Sequence, residues 1–221
     1  MTSRATATVL FTDLVGSTEL RGRLGEEAAD ELRRVHDRLL TEAVEHNGGR
    51  VLKGLGDGIM ASFTGAADAV AAAVAVQQAV DRLNRSGKAA SPLAVRVGLS
   101  AGDVTFEDDD VYGTPVIEAS RLCAAADGGA ILAAEVVRIL SGSVGGHTYT
   151  TVGPLELKGL DHPVHAVGVA WEPVVSASLP IPPLLTDVGR VFVGSRCRAR
   201  TSTAAVEGGR GRRTARGAVR R

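Results

Sequence analysis

Residues 50–63, RVLKGLGDGIMASF, leave the chain little choice of local structure. Apolar and small or polar residues alternate well enough on either side of Gly56-Asp57-Gly58 for two short strands, and an Asp-Gly turn flanked by such runs is a hairpin signal. Upstream, residues 6–14 (TATVLFTDL) read as a buried strand. From Ser17 to about His46, residues Leu20, Leu24, Ala28, Leu32, Val35, Leu39 and Val44 recur at helical spacing until Asn47-Gly48-Gly49 ends the run. Downstream come a helix from Ala66 to about Leu83, a loop from Asn84 to Ser91 and an alternating strand, LAVRVGLSAGDVTFE, bent at Gly102. An acidic loop (EDDD) precedes a helix from about Pro115 to Ala126 and a Gly128-Gly129 break. A short strand (AILAA), a helix near 135–141 and a strand pair within 149–172 complete the pattern. Together these predict an α+β fold, a mixed sheet covered by helices mainly on one face.

The chain divides by charge. Residues 189–221 hold ten of the 25 basic residues and one acid, Glu207, so the balanced whole consists of a body near −9 and a tail near +9. With 221 residues there is room for one domain and a tail, here drawn as 1–174 and 175–221. The second segment opens with a Pro-rich linker (SLPIPPLL) and runs into an Arg/Gly/Ala sequence expected to be disordered. No aromatic residue interleaves with its arginines to stack on bases, so nucleic acid is not expected as a partner. No stretch is long and apolar enough for a membrane span and the N-terminus lacks a signal-peptide pattern, which predicts a cytoplasmic chain without a membrane partner. Cys123 and Cys197 stand in unrelated contexts without metal-ligand spacing, and no disulfide is expected between them.

The chemistry-bearing residues sit at strand ends and turns. Asp13 closes an apolar strand and Asp57 lies at a hairpin apex between glycines. Brought to one sheet edge, the two carboxylates make a hard-cation site of the kind magnesium favours, completed by substrate phosphates and water. Gly16, Ser17 and Thr18 open a helix next to Asp13, so backbone amides and the positive helix end face the same place. The plainer alternative is an Asx turn at Asp13 and a turn-forming role for Asp57. Taken singly, Lys53, Arg121, Arg96 and Lys158 are equally readable as solvated surface cations.

The blocks VLFTDLVGST, GGRVLKGLGDGIMASF, VRVGLSAGDV and DVYGTPVIEASRL occur in the order and approximate spacing of the catalytic domain of class III adenylyl and guanylyl cyclases, and residues 5–172 resemble that domain. The resemblance implies a ferredoxin-like βαββαβ core with an extra helix and strands on its C-terminal side. It implies that Asp13 and Asp57 hold two divalent ions, Mg²⁺ or Mn²⁺, one activating the ribose 3′-hydroxyl and the other clamping the triphosphate, with the Leu14 carbonyl as a further metal ligand. The Val15, Gly16, Ser17 and Thr18 amides match the phosphate-wrapping segment. Lys53 and Asp110 match the base-selecting pair, a donor to adenine N1 and an acceptor from its amine, which implies ATP as substrate; the register leaves Asp109 as an alternative to Asp110. Arg121 matches the arginine that stabilises charge on the α-phosphate, and Arg96 and Lys158 match cations that meet the β- and γ-phosphates. Four residues before Arg121 the family usually has an asparagine that orients the ribose, and this chain has Ile117.

The implied product is 3′,5′-cyclic AMP, with release of pyrophosphate. The implied assembly is a head-to-tail homodimer in which Asp13 and Asp57 come from one copy and Lys53, Asp110 and Arg121 from the other. The alternative reading is a nucleotide-binding or dimerisation module weakened by the missing asparagine. LPIPPLLTDVGRVFVGSR also resembles the linker of bacterial regulators in which a cyclase domain precedes an ATPase module and a LuxR-type DNA-binding domain.

Overall fold

The computed structural model describes residues 2–108 and 110–174. The expected linker and tail, Cys197 and Asp109 lie outside the described residues. The N-terminal half reads β1 (Thr2–Leu14), α1 (Ser17–Leu24), α2 (Glu26–His46), β2 (Arg50–Gly54), β3 (Ile59–Phe63), α3 (Ala66–Arg85) and β4 (Val95–Glu107). After it come β5 (Asp110–Tyr112), α4 (Thr114–Ala125), β6 (Ile131–Ala134), α5 (Glu135–Ser141), β7 (Tyr149–Leu155) and β8 (Val164–Val169).

The described strands form one sheet of order β2-β3-β1-β4-β6-β8-β7, with β5 paired to β4 alone. Its first four strands are antiparallel in the order of a ferredoxin-like βαββαβ core. The α4 crossover then sets β6 parallel to β4, and β8 and β7 follow antiparallel. This is the α+β architecture the sequence predicts, with the extra helix and strands on the C-terminal side.

Strand alternation decides which face each helix covers. Leu10 and Leu14 of β1, Val95, Val97 and Leu99 of β4 and Ile131 and Ala133 of β6 share a core with Leu32 and Leu40 of α2, Val70 and Val76 of α3 and Val137 of α5. On the opposite face α4 stands alone: Ala119 packs with Ala7, Val9 and Val104, and Leu122 with Ala134 and Ala166. The close seating of α4 depends on Gly98, where a Cβ would stand 2.2 Å from the Ala119 carbonyl oxygen.

Three local details differ from the sequence reading. The long helix from Ser17 is two helices, because Gly25 adopts φ 78° and ψ 165°, which no helix accommodates. β1 begins at Thr2, four residues before its apolar run, because exposed Thr2–Thr6 pair with Asp103–Glu107 of β4. The acidic stretch is a hairpin: Glu107 pairs with Asp110, which opens β5.

Candidate active site

The β2–β3 turn is tied to the end of β1 by three devices. Leu14 N–H donates to the Asp57 carbonyl at 2.9 Å. The Ile59 amide donates to Thr12 Oγ1 at 2.9 Å. Gly58 lies so close to β1 that a Cβ would be 1.8 Å from the Thr12 carbonyl oxygen. Asp57 is thereby fixed beside the end of the strand that carries Asp13. The glycines flanking Asp57 announce a turn in sequence, but the contribution of Thr12 and the role of Gly58 as the point of contact emerge only from the fold.

Asp13 and Asp57 are each occupied by a partner from the chain. Arg96, opposite Asp13 in the β1–β4 register, places Nε 2.7 Å and Nη2 2.6 Å from Asp13 Oδ2 and gives Nη1 to the Ala124 carbonyl. Ser17 Oγ donates to Asp57 Oδ2 at 2.7 Å. Among the described residues no group of three or more metal-ligating side chains occurs. The available donors are two carboxylates and nearby carbonyls, all hard oxygens, which suits a magnesium- or manganese-type ion whose remaining positions go to water and phosphate.

Gly16 enters α1 in the left-handed conformation (φ 69°, ψ 28°), and no side chain caps the helix. The first turn of a helix has no internal acceptors for its amides, so those of Ser17 and Thr18 are open to an anion. Val15 differs: its N–H donates to the Ala94 carbonyl at 2.9 Å. The buried side chain of Leu14 faces the core.

The remaining expected residues form two separate contacts. Lys53 Nζ meets both Asp110 carboxylate oxygens, at 2.9 and 2.7 Å, although 57 residues separate them. That hydrogen bond, aided by the Val111 amide, holds the Asp110 carboxyl below its ordinary pKa. On α4, Arg121 Nε donates to the Lys158 carbonyl at 2.9 Å, which ties the helix to the β7–β8 loop. Ile117 lies one turn before Arg121 on the same helix face and is 44% exposed. Among the described residues no hydrogen bond or ion pair joins Lys53, Asp110, Arg121 or Lys158 to Asp13 or Asp57.

Cys123, behind Arg96, is a free thiol whose pKa burial pushes up to about 12, so it is packing and not a nucleophile. No helix among the described residues is long and apolar enough to cross a membrane.

Residues 1–168 match the family described as the adenylate and guanylate cyclase catalytic domain. An adenylate cyclase of Streptomyces coelicolor is 36% identical over 124 residues, covering 55% of this chain and 30% of that protein. The chain spans 29 to 39% of the length of several such curated relatives. Among solved structures, the adenylyl cyclase CyaB from P. aeruginosa aligns with TM-score 0.69 and 28% identity, over 77% of this chain and 96% of that one. The guanylyl cyclase Cya2 aligns with TM-score 0.66 and 25% identity, over 79% and 96%.

Proposed function

The chain belongs to the adenylate and guanylate cyclase catalytic domain family, and from that premise we propose that it converts ATP to 3′,5′-cyclic AMP and pyrophosphate at sites shared between two copies of itself. The observation that carries the choice of ATP is the Lys53–Asp110 pair. An ammonium donor beside a carboxylate acceptor complements adenine, which accepts at N1 and donates from its amine. Guanine presents the opposite pattern, and each mismatched group would be left unpaired. The pair is partly exposed, and such ion pairs are worth little, so exchanging it for the base edge costs little.

The proposed division of labour follows from the contacts. Asp13 and Asp57 would hold the divalent cations, which would supply activation of the ribose 3′-hydroxyl and offset triphosphate charge. Arg96, which is paired with Asp13 in the fold, would serve the phosphates. Gly16, Ser17 and Thr18 receive phosphate oxygens on their amides, and the Leu14 carbonyl completes the strand-end oxygen set. Arg121 stabilises the charge that develops on the α-phosphate as the 3′-oxygen attacks and pyrophosphate leaves, with Lys158 beside it. The catalytic unit is assigned to residues 1–174, and the extent of the family match supports that boundary.

Two observations support a two-copy site. Among the described residues no hydrogen bond or ion pair links Asp13 and Asp57 to Lys53, Asp110 or Arg121, and Val15, Leu55, Tyr112 and Ile117 are exposed large apolar residues on the site-bearing segments. Ile117 also supports a second reading, a weakly turning-over cyclase-like module, because it offers the ribose no hydrogen bond. The test is to incubate the purified chain with ATP or GTP and Mn²⁺ and to measure cyclic nucleotide, with Asp13→Ala as control. Cyclic AMP from wild type alone is expected; equal signals from the two proteins contradict the assignment.

A further inference from the structure

The side chain of Ser17 has a task separate from that of its amide. Leu14, Val15 and Gly16 lie between Asp13 and Ser17, the first residue of α1. Gly16 sits at φ 69° and ψ 28°, a left-handed conformation that favours glycine, and turns the chain there. The Ser17 hydroxyl then caps nothing in its own helix and donates instead to Asp57 Oδ2 at 2.7 Å, across 40 residues of sequence. Asp57 is thus gripped twice by one short segment, its carbonyl by the Leu14 N–H and its carboxylate by Ser17. The first bond fixes where the residue stands. The second fixes how its partly exposed carboxylate is turned about a soft χ2 torsion.

Asp13 repeats the pattern, because Arg96 Nε and Nη2 both take its Oδ2. Among the described residues no hydrogen bond or ion pair reaches Oδ1 of either carboxylate. Each acid is therefore held by one oxygen and offers the other, which is how a hydrogen-bonding partner orients a carboxylate toward a metal ion. The two partners differ in charge. Arg96 brings a positive charge, so its effect on a cation at Asp13 combines orientation with repulsion. Ser17 brings no net charge, and its effect on Asp57 is orientation.

We propose that Ser17 is a positioning residue for Asp57: its hydroxyl holds the carboxylate through Oδ2 so that Oδ1 is presented to a divalent cation. This role rests on the metal-binding reading of Asp13 and Asp57 above and extends it, since the Ser17 side chain acts through Asp57 whereas its amide faces phosphate.

The experiment measures, by calorimetry on the full chain, the affinity for 3′-deoxy-ATP, which lacks the attacking hydroxyl and cannot turn over. Each protein is titrated twice, with the Mn²⁺ complex of the nucleotide and with the nucleotide in EDTA. Ser17→Ala keeps the amide and loses the hydroxyl. It is expected to bind the Mn²⁺ complex about tenfold more weakly than wild type, the lower end of what the hydrogen-bonding partner of a metal ligand contributes, and to bind the nucleotide in EDTA unchanged. Ser17→Thr, which keeps a hydroxyl, should regain the lost affinity, and Ser17→Val, of the same shape without it, should not; that pair decides if Ser17→Ala does not fold. In an Asp57→Ala background, adding Ser17→Ala should cost nothing further, because the hydroxyl acts through that carboxylate. Wild-type affinity of folded Ser17→Ala for the Mn²⁺ complex, equal losses with Mn²⁺ and in EDTA, or a further loss in the Asp57→Ala background overturns the role. The metal-binding reading fails by a different result, Asp57→Ala binding the Mn²⁺ complex as tightly as wild type or wild type binding neither form, and the positioning role then falls with it.

Discussion

At the Asp13–Asp57 edge, position comes from the backbone: a strand end, a left-handed Gly16 and a hairpin turn pressed onto β1 through Gly58. At the Lys53–Asp110 patch, two partly exposed side chains from β2 and β5 hold each other. The first arrangement tolerates no added atom at its contact point; the second is a partly exposed ion pair of the kind that contributes little to stability. The proposed function accordingly gives the chemistry that needs fixed geometry to the first region and base selection to the second.

The comparison breaks most severely at the rigid edge. Asp57→Ala removes a proposed metal ligand and the acceptor of Ser17, and cyclic-nucleotide formation should fall by at least about a thousandfold with the unfolding midpoint little changed. Gly58→Ala drives a Cβ into the Thr12 carbonyl, so the turn must lift from β1; a loss of about 2–4 kcal/mol in denaturant unfolding is expected, together with reduced turnover. At the compliant patch, Lys53→Glu should leave stability nearly unchanged and shift the ATP-to-GTP ratio of kcat/KM toward GTP by about ten- to a hundredfold. Ile117→Asn, on an exposed helix face, should raise turnover by about tenfold by restoring one hydrogen bond to the ribose, without altering the melting temperature.

The smallest effect concerns pH. His36 is neutral in the fold because burial lowers its pKa from 6.5. Below that value the unfolded chain takes up a proton that the folded chain refuses, so stability declines as pH falls through 6.5 toward the lowered folded value. Thermal unfolding at about pH 7.5 and pH 5.5 should show a larger acid loss for wild type than for His36→Phe, which has no ring proton to bind.

Much of the fold could be read from periodicity, because apolar alternation and helical spacing report burial. What periodicity does not report is backbone pairing. Exposed Thr2–Thr6 carry no apolar signal yet extend β1, and Gly25 interrupts a helical apolar spacing that continues across it. The occupation of the Val15 amide by Ala94 depends on a contact 79 residues away in sequence, which no local motif encodes. Residue types identified Asp13 and Asp57 as candidates, and the resemblance to the cyclase domain added Lys53 and Asp110. Their grouping into a backbone-held edge and a side-chain-held patch required the β1–β4 register and the curl of β5 against β4.

The proposed working site takes Asp13 and Asp57 from one copy and Lys53, Asp110 and Arg121 from another. Mixing two inactive proteins, Asp13→Ala and Arg121→Ala, tests it most directly. Each mixed dimer then holds one site with both defects and one with none, and an equimolar mixture is predicted to recover about a quarter of wild-type cyclic AMP formation. A mixture as inactive as its components, with subunit exchange verified, would contradict the shared site.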